Sequence, residues 1–340
     1  MNKVVDGLPV AVDAMGGDKA PAEIVAGALQ AARELEIPVL LIGDPKCLKD
    51  AEGQPGIQVE PAYEVVDMDE DPGRAVRTKR GSSVVRCAEA VRDGRASAMV
   101  SAGNTGAAMA SALLRMGRLK GASRPAIATV IPVPGAAAQT LLLDSGANVE
   151  CTPHMLVQFA QMGSALSTER FGTANPRVGL LSIGEEASKG NALVKEAHEL
   201  LEGGAAGPQV HFIGNVEGRD VMTERVDVVV TDGFTGNVVL KTLEGAVRAV
   251  SGAVLGALTS TEEVKEAARA VMPALMPLAA QIDPDTYGGA ILLGVNGVCV
   301  ISHGSSSARA IVNAIKVARH AVDEKLVARL EDVLQPVGPQ

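Results

Sequence analysis

The run AMVSAGNTGAAMASALLR at residues 98–115 decides the fold class. Residues 98–101 read as a strand, Ala102-Gly103-Asn104-Thr105-Gly106 as a sharp turn, and residues 107–115 as a helix. The same strand-turn-helix cadence continues outward in both directions. Short apolar runs at 10–12, 39–42, 127–131, 178–183, 210–213, 226–231 and 297–301 alternate with helical stretches at 22–35, 82–92, 153–166, 192–202 and 306–330. Such alternation predicts an α/β fold, a mostly parallel sheet with helices on both faces. The strands are continuous apolar runs, as a sheet covered on both sides requires. Residues 203–208 (GGAAGP) read as a surface loop. No internal repeat or low-complexity linker interrupts the 340 residues, so 1–340 reads as one large catalytic domain.

Composition excludes several function classes. Hydrophobic residues make up 47% and charged residues 21%, a globular balance. Aromatics are 2%, with no Trp, so platforms for stacking single-stranded bases have little material. The net charge of −9 repels a phosphate backbone, and no nucleic-acid partner is expected. Cys47, Cys87, Cys151 and Cys299 form no CxxC pair, which predicts no zinc site or disulfide framework and fits a reducing cytoplasm. The N-terminus, with Asp6 and Asp13 in its strand-like run, shows no export signal, and no uninterrupted apolar stretch reaches spanning length. There is no GxSxG, HExxH, GxxxxGK[ST] or G-x-G, so no cofactor or metal is expected.

In sheets of this kind ligands bind where strands end and helices begin. Six such junctions are rich in small and polar residues: 13–18 (DAMGGD), 101–106 (SAGNTG), 144–148 (DSGAN), 183–186 (IGEE), 215–218 (NVEG) and 231–237 (TDGFTGN). All six are expected on one sheet edge, forming a site assembled from loops. One region breaks the alternation. Residues 237–258 and 261–282 read as two consecutive helices, a hairpin at about 237–282. Pro273 and Pro277 kink or end the second. Its apolar side chains, Met272, Leu275, Met276 and Leu278, serve either to pack against a second copy or to enter a membrane surface, and the two are compatible.

Residues 13–21 (DAMGGDKAP) resemble the phosphate acyltransferase family, the acyl-[acyl-carrier-protein]:phosphate transacylases. The resemblance runs on through 101–107 (SAGNTGA), Arg124-Pro125-Ala126, 143–148 (LDSGAN), 183–191 (IGEEASKGN), 214–218 (GNVEG), 229–240 (VVTDGFTGNVVL), 287–297 and His303-Gly304. It covers nearly the whole chain in order. Ser182 stands where the family often has Asn, and Ile291 where it often has Pro. Neither change removes an obvious chemical group. The resemblance implies an isocitrate/isopropylmalate dehydrogenase-like fold shared with phosphate acetyltransferases. It implies an acyl donor on acyl carrier protein, an acyl phosphate product, and a homodimer held peripherally on the inner face of the membrane through a helical hairpin. The product then passes to a membrane glycerol 3-phosphate acyltransferase.

Phosphate attacking a thioester needs an anion site and oxyanion stabilisation more than a protein nucleophile. Asn104, Thr105 and Gly106 start a helix and are either a phosphate site or an ordinary N-cap. Lys189 and Asn191, at a second helix start, are candidate catalytic residues, the alternative for Lys189 being a solvated lysine. His303 either protonates the leaving thiolate or is structural. Asp13, Gly16, Gly17, Asp144, Glu185, Asn215, Asp232 and Asn237 are candidates for substrate binding, with turn-capping the alternative for the acids. Phe234 either walls an acyl groove or packs in the core. An acidic carrier needs a local basic patch on this acidic chain. Arg74, Arg77, Lys79 and Arg80 form the densest one, the alternative being a solvated loop.

Overall fold

The computed structural model describes residues 7–334. Residues 1–6, on which the export-signal reading partly rests, lie outside that range. The elements are β1 (Val10–Asp13), α1 (Ala22–Glu34), β2 (Val39–Gly43), β3 (Ile57–Pro61), α2 (Pro72–Thr78), α3 (Ser83–Arg92), β4 (Ala98–Ser101), α4 (Thr105–Arg115), β5 (Ala126–Pro132), β6 (Gln139–Leu143), α5 (Pro153–Phe171), β7 (Arg177–Leu181), α6 (Ala192–Glu202), β8 (His211–Val216), β9 (Val228–Val230), α7 (Gly233–Leu258), α8 (Glu262–Ala268), α9 (Met272–Ile282), β10 (Ala290–Leu293), β11 (Val298–Ile301), α10 (Ala308–Asp323) and α11 (Leu326–Val333).

The strands form one sheet in the order β3-β2-β1-β4-β11-β10-β5-β6-β9-β7-β8. Pairing is parallel except at β11–β10, β10–β5 and β5–β6. Three reversals in a row turn the direction over. β6, β9, β7 and β8 therefore run opposite to β1, β4 and β11. This corrects the expectation of one loop-built edge. The turns after β1, β4 and β11 lie at one end of the sheet, and those after β6, β7, β8 and β9 at the other.

One sheet face carries a continuous core spanning both halves, built with α1, α5, α6, α10 and α11. On the other face burial is split. α2, α3 and α4 cover the β1 half, around Val76, Val85, Ala108 and Ile127. The first half of α7 covers the β6 half, with Val239, Leu240 and Leu243 against Leu142, Val216 and Val229. Between these clusters, on β5, half-buried Thr129 bonds Ser145 Oγ at 2.6 Å.

α7 differs from α5, which buries most of its length. Of its 26 residues only Gly233 and Gly236 are buried, and α9 has none. Val250, Val254, Leu255, Met276 and Leu278 are exposed apolar side chains. Covering each fully would contribute about 1.5–3 kcal/mol, so this hairpin has unused capacity for a partner surface.

Several boundaries differ from expectation for local reasons. The anticipated 261–282 helix is two, α8 and α9, broken at 269–271. Pro273 opens α9, where a missing N–H is harmless, and Pro277 lies inside it. The 306–330 helix divides at Lys325, whose φ of 56° is left-handed. The strand expected to reach residue 183 stops at Leu181, and Ile183 is 83% exposed. Strands β3, β6 and β10 were not anticipated. β3 is only partly buried, and β6 and β10 are apolar runs too short to tell from helix.

Candidate functional site

At the β1-half edge, Asp13 ends β1 buried, and Ser101 Oγ at the end of β4 donates to it at 2.7 Å. Burial pushes its carboxyl up, against the pull of hydrogen bonds from Ser83, Ser101 and the amides of Met15 and Gly16. Gly16 must be glycine here, since a Cβ would sit 2.4 Å from Asp13 Oδ2 and 2.9 Å from the Gly103 backbone. Beside Gly17, the Asp18 amide donates to Gly304 O at 2.8 Å. That bond joins the β1 turn to the β11 turn carrying His303. Asp13, Gly16, Gly17, the α4 start and His303 thus share one edge.

Asn104 caps α4, its Oδ1 accepting from Ala107 N at 3.0 Å. Its amide also donates to the carbonyls of Asp67, Met68 and Glu70. The side chain is therefore committed to the cap and to the 67–70 loop. The exposed Thr105 and the first-turn amides of Thr105 and Gly106 remain for an anion. Gly106 lets α2 approach, because a Cβ there would meet Pro72 Cγ at 2.7 Å. The basic segment is thus a short helix seated on the α4 start. Arg74, Arg77 and Arg80 are exposed. Lys79 is held by Glu70, by Asp67 and by Val65 O.

At the opposite edge, Asp144 is fully buried. Its carboxylate accepts from the amides of Ile127, Gly146, Ala147 and Asn148 and from Asn148 Nδ2. It builds the 144–148 loop. Asp232 caps α7, accepting from Thr235 N and Oγ1, and Asn191 caps α6, accepting from Val194 N at 3.0 Å. Asn215 is buried, paired with His198 Nδ1 at 2.9 Å and donating to Glu186 O. Glu185 binds Arg225 at 2.6 Å, which holds its carboxyl low, with Arg219 farther off. Lys189 is exposed and makes no ion pair among the described residues. Asn191, Leu193, Asp232, Phe234, Thr235 and Val149–Cys151 line an open groove of about 500 Å³ where α5, α6 and α7 begin. Phe234 is 61% exposed at its rim. Asn237 stands against Gly146, whose added Cβ would lie 3.8 Å from Asn237 Cβ.

α7 connects the two edges. It starts at the groove, and Glu244 on it meets His303 Nε2 at 3.2 Å. Ten residues separate Phe234 from Glu244, about 15 Å of helix. His303 is therefore not brought together with Lys189 and Asn191, which sit at the groove end. Lys241 Nζ binds the other Glu244 oxygen at 2.9 Å. Burial by itself would raise the Glu244 carboxyl, but the hydrogen bonds from His303 and Lys241 bring it down to about 2. Sequence reasoning missed Lys241 and Glu244. Their i, i+3 spacing reads as an ordinary surface pair, and nothing local points to a histidine far along the chain. Among the described residues no cluster of His, Cys, Asp or Glu is disposed to hold a metal, and no helix is long and apolar enough to cross a membrane.

A family model described as fatty acid synthesis protein matches residues 8–329. The phosphate acyltransferase of Heliobacterium modesticaldum is 47% identical over 329 residues, covering 95% of this chain and 96% of that protein. The chain belongs to the phosphate acyltransferase family. Solved structures share the fold of this family member. A phosphotransacetylase from Streptococcus pyogenes aligns with a TM-score of 0.61 at 18% identity, over 95% of this chain and 96% of that one. A 4-hydroxythreonine-4-phosphate dehydrogenase from Klebsiella pneumoniae aligns at 0.51 and 14% identity, over 93% and 99%. The dehydrogenase-like architecture implied by the sequence resemblance is thus present in this acyltransferase family member.

Proposed function

We propose that this chain transfers an acyl group from the thioester of acyl carrier protein to orthophosphate, and that the acyl phosphate feeds glycerol 3-phosphate acylation in phospholipid synthesis. The observation that carries the reading is the near-full-length match to a phosphate acyltransferase. The geometry supports a direct displacement. A phosphate oxygen attacks the thioester carbonyl, the C–S bond breaks, and the departing thiolate takes up the proton of the attacking hydrogen phosphate, relayed through His303 Nδ1. Burial pushes the thiols of Cys151 and Cys299 up to about 12, and Cys87 higher than ordinary. These thiols are poor nucleophiles at neutral pH, which favours attack by phosphate itself.

In this reading the α4 start, with Thr105 and Gly106, seats the phosphate. The acyl chain lies along α7 towards the groove rimmed by Phe234 and Val149. The exposed Arg74, Arg77 and Arg80 on α2 receive the acidic carrier beside that start. The uncovered apolar faces of α7 and α9 support homodimer packing and peripheral attachment to the inner face of the membrane, next to the glycerol 3-phosphate acyltransferase. The test compares matched acyl-carrier-protein and acyl-coenzyme A donors with orthophosphate varied. Strong preference for the carrier is expected. Equal use of both would reduce the reading to a phosphotransacylase of broader donor range.

A further inference from the structure

We propose that Glu244 is a positioning residue for His303, fixing the imidazole so that its Nδ1 is presented to the thioester. This deepens the acyl-transfer reading above and rests on it. The contact joins parts of the molecule that are remote in sequence. His303 belongs to the turn after β11, and Glu244 to the helix that starts after β9. Both anchors are held. The His303 carbonyl accepts from Ser306 N at 3.0 Å and Ser306 Oγ at 2.6 Å, and the next carbonyl, of Gly304, accepts from Asp18 N. The Glu244 carboxylate is gripped on its second oxygen by Lys241. With the backbone fixed by the turn and Nε2 directed at Glu244, the ring has one orientation left.

In that orientation Nε2 carries a hydrogen donated to the carboxylate, and Nδ1 has no partner among the described residues. The tautomer follows from the partner, as a carboxylate fixes the imidazole in other acid-base sites. His303 is 41% exposed on the site edge while Glu244 is 18% exposed, so the ring is reachable and its anchor is sheltered. Glu244, itself paired with Lys241, bonds the imidazole, and Asp18 from the β1 turn lies against the neighbouring Gly304. Glu244 is the ion-pair partner of the imidazole among the described residues. A merely structural Glu244 would tie α7 to the turn, and its loss would lower thermal stability without altering how His303 works.

The test uses full-length Glu244→Gln, His303→Gln and the double variant with loaded acyl carrier protein and orthophosphate, and the ¹⁵N imidazole spectrum of each folded protein. E244Q is expected to lower kcat at least about tenfold with the KM for orthophosphate within about twofold. The double variant should be no slower than H303Q alone, and the His303 signal should leave the Nε2–H form. If E244Q fails to fold, Glu244→Asp, which retracts the carboxylate by one methylene, carries the same expectations. Full kcat in E244Q, or multiplying losses in the double variant, would overturn the proposal while leaving acyl transfer intact. Absence of phosphate-dependent product from the wild type would instead sink the reading beneath it.

Discussion

Gly236→Ala inserts one methyl at the seam between α7 and the 144–148 loop. The new Cβ would lie 1.9 Å from Asp144 O, 3.0 Å from Asp144 C and 3.1 Å from Thr231 Cγ2. Real Cβ contacts stay above 3.0 Å, so α7 must withdraw by at least about 1.1 Å. The loop cannot yield easily, because five N–H groups hold the Asp144 carboxylate and Asp144 N is bonded to Thr231 O. Overpacking of this kind costs about 1–3 kcal/mol, against about 1 kcal/mol gained from better helix propensity. The shift also carries Phe234, Asn237 and Glu244 with it, and a displacement near 1 Å can cost about 100-fold in rate. Gly245→Ala is the internal control, since it lies on the same helix with nothing within 4 Å of an added Cβ. Calorimetry and steady-state kinetics on both variants give the comparison. Gly236→Ala should lower Tm by a few degrees and reduce kcat at least tenfold, while Gly245→Ala should raise Tm slightly and keep full activity. Equal behaviour of the two would refute the close approach of α7 to Asp144.

Leu275→Asp with Met276→Asp should release the protein from anionic vesicles, measured by co-sedimentation, with solution kcat within about twofold; retention on vesicles would assign this segment to dimer packing alone. Charge reversal at Arg77 and Arg80 should raise KM for the carrier several-fold at low salt and less at high salt, with the melting curve unchanged, because steering by exposed charges is screened. Glu244 gives a pH signature in stability. Its pKa falls from the ordinary 4.5 to about 2 in the fold, so its contribution is present above about 4.5 and is lost as pH falls towards 2. The stability difference between wild type and E244Q in urea titrations should therefore be at most about 3 kcal/mol at neutral pH, reduced by partial solvation, and shrink across that acid window; a difference independent of pH would remove the charged pairing from the account.

The alternation of strands and helices was legible because a sheet covered on both faces writes its strands as apolar runs, as at Val39–Gly43 and Val298–Ile301. Strand direction was not. β6, β7 and β9 show the same strand-turn-helix cadence as β1 and β4, and the reversal is made by β10 and β5, whose short apolar runs carry no directional mark. Hence the six turns looked equivalent and proved to divide between two edges. The caps at the 104–106 turn and at Asp232 were legible from type and place, whereas Asn191, expected to be catalytic, proved to be a cap. What their side chains are committed to was not, because that depends on neighbours distant in sequence. The 67–70 loop takes up the Asn104 amide, Arg225 takes Glu185, and His198 takes Asn215. The exposed ring of Phe234 at the groove became visible only once the starts of α5, α6 and α7 were seen to converge.

The most direct measurement gives the purified protein a loaded acyl carrier protein and ¹⁸O-labelled orthophosphate, and follows the products by mass spectrometry. The account predicts free carrier thiol and an acyl phosphate in equal amounts, with the label retained in the phosphoryl group and the rate rising with phosphate until it saturates. Carrier release that is independent of phosphate, or a free fatty acid as the first product, would contradict it.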